Sequence, residues 1–189
     1  MMKNSILKAS AALLSFSLLM GGTFSTAHAE DVTGTVEIGK IFKKKIKVSI
    51  SLPKIQARDL APNISSEQVL FIESTNTAPD GEYIAQGQTT TRLDQGGAQM
   101  ELVLAEVGYG SNYPKITMDG QTLQHSAIEL RVPFCIINGQ IDTSCPAGTV
   151  ATGYLYEINL SGYQSGKFTF FNTSQNQPSV TGSTFLNIL

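Results

Sequence analysis

From residue 32 onward apolar and polar side chains alternate with a period of two, and that period restricts the chain to extended segments paired into sheets. Val32, Gly34, Val36 and Ile38 fall on one side of a first segment. Ile46, Val48, Ile50 and Leu52 do the same in a second, which stops at Pro53. A polar loop with Asp59, Pro62 and Asn63 follows, with room for one short helical turn over residues 55–60 because Pro stands at both ends. Strand-length runs then recur at 69–72, 83–88, 89–93 and 100–107, the first two separated by Pro79-Asp80-Gly81 as a turn. Asp119-Gly120 between 115–118 and 121–123 is a strong hairpin signal, and further strands are expected at 128–132, 154–160, 167–171 and 180–189. About ten short strands, turns every 8–12 residues or so and no helix–strand alternation predict an all-β antiparallel sandwich of Greek-key type.

Residues 1–29 read as a secretory signal. Lys3 and Lys8 supply the positive start, residues 9–22 the apolar stretch, and Ala27-His28-Ala29 the small-x-small cleavage site, so the mature chain is expected to begin at Glu30 and to be exported. The apolar run is shorter than the roughly 20 residues that span a bilayer. Removing it leaves 11 basic groups against 15 acidic ones, a balance that speaks against a nucleic-acid partner. The expected organisation is a signal peptide over 1–29, an N-terminal extension over 30–42 and a single sandwich domain over 43–189.

Cys135 and Cys145 are the only cysteines, with nine residues between them and Asn138-Gly139 near the middle. In an exported chain this spacing predicts a disulfide closing a local hairpin, a clamp contributing somewhat under about 3 kcal/mol. The spacing is too wide for a redox Cys-x-x-Cys pair, and no further cysteine completes a zinc site, so neither metal nor cofactor is expected.

Signals for catalysis are scarce. His125 is the only histidine left after the signal and lies beside a turn, and no nucleophile elbow, zinc-binding helix or phosphate-binding glycine loop is present. The chain is therefore not expected to be an enzyme. Lys43, Lys44, Lys45 and Lys47 concentrate four of the 11 remaining positive charges and read as a solvated strand end that discourages edge pairing. Tyr109, Tyr113, Tyr154, Tyr156 and Tyr163 offer a glycan-stacking platform, against the plainer reading of core and cross-strand partners. Asn63, Asn159 and Asn172 stand in N-x-[ST] triplets.

The opening Glu30-Asp31-Val32-Thr33-Gly34-Thr35-Val36-Glu37-Ile38 resembles the donor strand of bacterial fimbrial subunits assembled by the chaperone–usher route. The hairpin over residues 116–123, and Pro146-Ala147-Gly148 leading into a strand that ends near Leu160, are similar to pilin segments in organisation. The resemblance implies an immunoglobulin-like sandwich completed by strand exchange, with Val32, Val36 and Ile38 filling pockets of a neighbour and Gly34 allowing close approach. It further implies self-polymerisation with a periplasmic chaperone and an usher, a surface fimbria as destination, and a host glycan or protein as receptor. Residues 162–189 extend beyond the late strand at which many pilins end and offer a strand of their own. A self-contained secreted module that binds a ligand or glycan therefore stays open as the alternative.

Overall fold

The computed structural model describes residues 30–38, 43–52 and 62–189. The expected signal segment and the helical turn over 55–60 lie outside the described residues. Among the described residues twelve strands follow in chain order: β1 (Glu30–Ile38), β2 (Lys44–Leu52), β3 (Ser66–Ser74), β4 (Glu82–Tyr83), β5 (Met100–Val107), β6 (Lys115–Met118), β7 (Gln121–Thr122), β8 (Ile128–Ile137), β9 (Gln140–Asp142), β10 (Gly153–Asn159), β11 (Gly166–Thr173) and β12 (Thr181–Ile188). They form an eight-stranded sheet ordered β2-β1-β9-β8-β10-β5-β3-β4 and a four-stranded sheet ordered β12-β11-β6-β7. The fold is an all-β sandwich.

Every residue of β5 is buried. Its side chains alternate between two cores, as a period-two strand must when both of its faces are covered. Leu102 and Leu104 join Tyr156, Ile158, Ile116, Met118, Phe168, Phe170 and Leu186 between the two sheets. Val103, Ala105 and Val107 join Leu155, Phe71 and Phe134 on the opposite face, and Val32, Val36, Ile46, Val48 and Ile50 of the β1–β2 hairpin close that second core. The larger sheet thus curls so that its first two strands lie over its own middle. Each large apolar side chain buried here contributes about 1.5–3 kcal/mol relative to exposure.

Two tight turns follow the expected chemistry. Asp119 and Gly120 adopt φ of 50° and 78°, and Asn138 and Gly139 adopt 51° and 74°, the pair of positive angles that suits a two-residue hairpin. The stretch 83–93 departs from expectation. Its strand ends after Tyr83, and Thr90 makes a single bridge to Asn187. The cause is Glu82, whose buried carboxylate accepts from the backbone N–H of Arg92 at 2.8 Å and of Leu93 at 3.0 Å, and from the side-chain amides of Gln88 and Gln95 at 2.8 and 3.2 Å. These contacts wrap the chain around one acid, and donors that a ladder would use point inward instead.

β1 pairs with β2 through nine residues but meets the rest of the sheet at one parallel bridge, Thr33 opposite Gln140 of β9. That approach depends on Gly34, where a Cβ would stand 2.6 Å from Ile141 Cβ and 2.9 Å from the Ile141 carbonyl oxygen. Gly34→Ala is expected to lift β1 from β9 and to lower stability by about 1–3 kcal/mol in equilibrium unfolding; an unchanged midpoint would refute this packing role.

Candidate functional site

The four residues expected to enter a neighbour's groove lie in the chain's own sheet. Val32 and Val36 are each 2% exposed within the second core. Gly34 rests on Ile141, and Ile38 ends β1 with its backbone opposite Lys44. Lys45 and Lys47 project to solvent, Lys45 at 3.9 Å from Glu37, in keeping with a solvated strand end.

Beside the hairpin runs a cleft of about 560 Å³. One wall is the hairpin, with Thr33, Lys47 and Ser49; the other is β3 and the segment wrapped on Glu82, with Gln68, Tyr83 and Gln86. Gln140 of β9 also lines it. The volume lies within the range of small-ligand sites, roughly 300–1,000 Å³. Most of its side chains are hydroxyls and amides, each able to donate and accept at once. Tyr83 is 51% exposed, and its ring is held edge-on against buried Phe71 at a centroid distance of 5.1 Å. The cleft therefore pairs a fixed aromatic face with hydrogen-bonding groups. Sequence reading missed it because its parts come from residues 31–51, 68–86 and 140, joined only by the curl of the sheet.

The five tyrosines do not form one platform. Tyr156 is fully buried against Phe170, Tyr109 and Tyr154 pack edge to face, and Tyr163 lies half-buried on the main core. Tyr113 alone of the five is fully outside, at 79% exposure, beside the His125 ring. His125 Nε2 lies 3.0 Å from the Asn112 carbonyl oxygen. Asn172 is buried, whereas Asn63 is exposed and Asn159 half-buried.

The two cysteines expected to close a hairpin disulfide, Cys135 and Cys145, stand together as thiols. Both Sγ atoms point to one acceptor, the Asp142 carbonyl oxygen, at 3.3 and 3.4 Å. The β8–β9 register sets Cys135 opposite Asp142, and Cys145 reaches the same oxygen from beyond the turn. Burial, the neighbouring Cys135 thiol and the Asp142 charge push the Cys145 thiol up to about 12, so its nucleophilic thiolate is suppressed at neutral pH.

A buried polar network ends the main core. Glu106 accepts from Asn172 Nδ2 at 2.7 Å, the Tyr156 hydroxyl at 3.1 Å and the Gly110 backbone N–H at 3.1 Å. Arg131 stacks its guanidinium 3.4 Å from the Tyr154 ring centroid and donates to the Tyr156 hydroxyl, Asn112 and the Gly110 carbonyl. Glu67 lies directly across the strand pair from Glu106, and neither of its carboxylate oxygens has a hydrogen-bond partner. Burial first, then the charge of Glu106, raises Glu67 to about 9. Glu106 is also raised by burial, against the lowering effect of its three donors and Arg131. The two carboxyls share one negative charge most cheaply when Glu67 holds the proton.

The sign of the pH effect follows. A carboxyl raised in the folded state binds more protons folded than unfolded, so stability is greatest below the ordinary carboxylate range and falls as pH rises toward about 9. Glu67→Gln keeps the shape and removes the titration. It is expected to flatten the decline above pH 5 and to raise stability at pH 8 by roughly 1–3 kcal/mol. Parallel pH–stability curves for wild type and variant in chemical denaturation would contradict this assignment.

No curated protein and no solved structure matches the chain. Residues 53–188, which begin directly after β2 and run to the last residue of β12, match the family described as a domain of unknown function, DUF4879, and the chain belongs to that family.

Proposed function

We propose that the protein is an exported, self-contained carbohydrate-binding module that acts by recognition rather than catalysis, with the cleft between the hairpin and β3 as its binding site. The observation that carries this reading is Tyr83, half-exposed and braced by Phe71 at the rim of a cleft rich in Gln, Ser and Thr. A sugar ring presents an apolar C–H face and a belt of hydroxyls. An exposed aromatic face and side chains that both donate and accept are the matching chemistry. The signal-like residues 1–29 support export. Glu82 and Glu106, whose carboxylates collect four and three donors, are 7% and 0% exposed, which supports binding without chemistry.

A screen of immobilised neutral oligosaccharides with the mature chain tests this. Tyr83→Ala is expected to weaken the bound saccharide at least about tenfold, in line with the loss of roughly 1–2 kcal/mol of ring contact, while leaving the thermal midpoint near wild type. Failure of every saccharide to bind, or retention of affinity in the variant, would refute the reading.

A second reading, assembly through the N-terminal segment, is favoured by the way the hairpin is attached. β1 and β2 lie before the family-matched residues and join the larger sheet by one bridge and by buried side chains. In this reading the whole hairpin, rather than a single donor strand, moves to a second copy and fills the same core there. Chains locked by a disulfide engineered between hairpin and domain are then expected to stay monomeric at concentrations where wild type dimerises in light scattering. A wild type that remains monomeric throughout would exclude it.

A further inference from the structure

Acidic residues are distributed unevenly between the two sheets. Eleven of the 15 in the chain lie in strands of the larger sheet. The four strands of the smaller sheet hold none, and their only charged residues are Lys115 and Lys167. Side chains at 116, 118, 168, 170, 186 and 188 point into the main core, so alternation sends Lys115, Thr117, Lys167, Thr169, Phe171, Ser183 and Phe185 to the outer face.

That face is not an ordinary solvated surface. Phe171 and Phe185 are 38% and 40% exposed. Phe185 stands opposite Thr169 and Phe171 opposite Ser183, so the two rings are diagonal neighbours, about 7–8 Å apart at their backbones. Lys167 Nζ lies 4.7 Å from the Phe185 ring centroid, and Lys115 stands opposite Phe171. Each ring therefore has a cation beside it, and threonine and serine hydroxyls fill the positions between. Four residues of strand and one strand spacing separate the two lysines, about 14 Å. The Asp119 carboxylate, in the β6–β7 turn, is engaged with the Lys167 backbone N–H at 2.7 Å.

We infer that this outer face is a docking surface for an anionic polysaccharide, laid with sugar faces over Phe171 and Phe185 and its acidic groups at Lys115 and Lys167. The charge complement selects the partner class. On a chain with an acidic excess, the one sheet surface that holds only cations attracts a polyanion and repels its own counterpart on a second copy. Exposed rings with nearby hydroxyls select a sugar polymer over a bare lipid headgroup, which offers them no stacking face. The surface is distinct from the cleft by Tyr83 and does not depend on it.

The test uses the mature chain with polygalacturonate as the anionic probe, dextran as the neutral one, and phosphatidylglycerol vesicles as the lipid one, at low and at near-physiological salt. Polygalacturonate is expected to bind and dextran not to, with affinity falling as salt rises. Lys115→Gln with Lys167→Gln is expected to lower affinity at least about tenfold, as loss of both charges should. Phe171→Ser with Phe185→Thr is expected to lower it by a similar factor while both double variants keep the wild-type thermal midpoint. Tyr83→Ala must leave it unchanged, which separates this surface from the cleft. No polygalacturonate binding by the wild type, equal binding of dextran, binding of vesicles alone, or full affinity in either folded double variant would overturn the inference.

Discussion

Two-sided burial of β5 and its neighbour β10 is the constraint on which the rest of the molecule depends. A strand with both faces enclosed needs a layer on each side, and this chain supplies them by different means. The four-stranded sheet covers one face and the N-terminal hairpin covers the other. Removing either layer would put a row of apolar groups into water, at about 0.8 kcal/mol for each exposed methylene. The curl of the larger sheet, the contact of β2 with the region of β3, and the cleft between them are consequences of that need rather than separate features.

Much of this was legible in the residues. Alternation located nearly every long strand, and the Asp-Gly and Asn-Gly pairs marked their hairpins, because backbone period and positive φ are local properties. The run Met100-Glu101-Leu102-Val103-Leu104-Ala105-Glu106-Val107 also carries the sign of two-sided burial, since apolar residues occupy both of its faces. What alternation does not contain is which layer covers which face. Val32 and Val36 read equally well as groups bound for another molecule and as groups bound for their own core, and the difference lies in residues such as Ile141 and Phe134, more than 90 positions away.

The cleft was illegible for a related reason. By their residues 83–88 and 89–93 read as strands, and nothing in the sequence singles out Glu82. Its carboxylate instead gathers donors from residues 88, 92 and 95 and so shapes the wall that carries Ile84, Ala85 and Gln86. A buried acid that collects backbone N–H groups replaces several ladder bonds with one hub. No periodicity announces such a hub. The thiols show the same limit in reverse: spacing placed the two cysteines together, but their shared carbonyl acceptor emerges only from the β8–β9 register.

The position of the hairpin in the chain has a consequence for the order of events during biosynthesis. Residues 30–52 are made before the surface that receives them, which is built from Leu70, Phe71, Val103, Ala105, Val107, Phe134, Ile141 and Leu155. A chain delivered N-terminus first therefore cannot complete its second core until residue 155 has arrived. Its apolar leading segment stays unsatisfied over the passage of more than 100 residues, a long-range closure of the kind that slows β-rich folding. The second core is thus sealed by a segment that has waited for its partners.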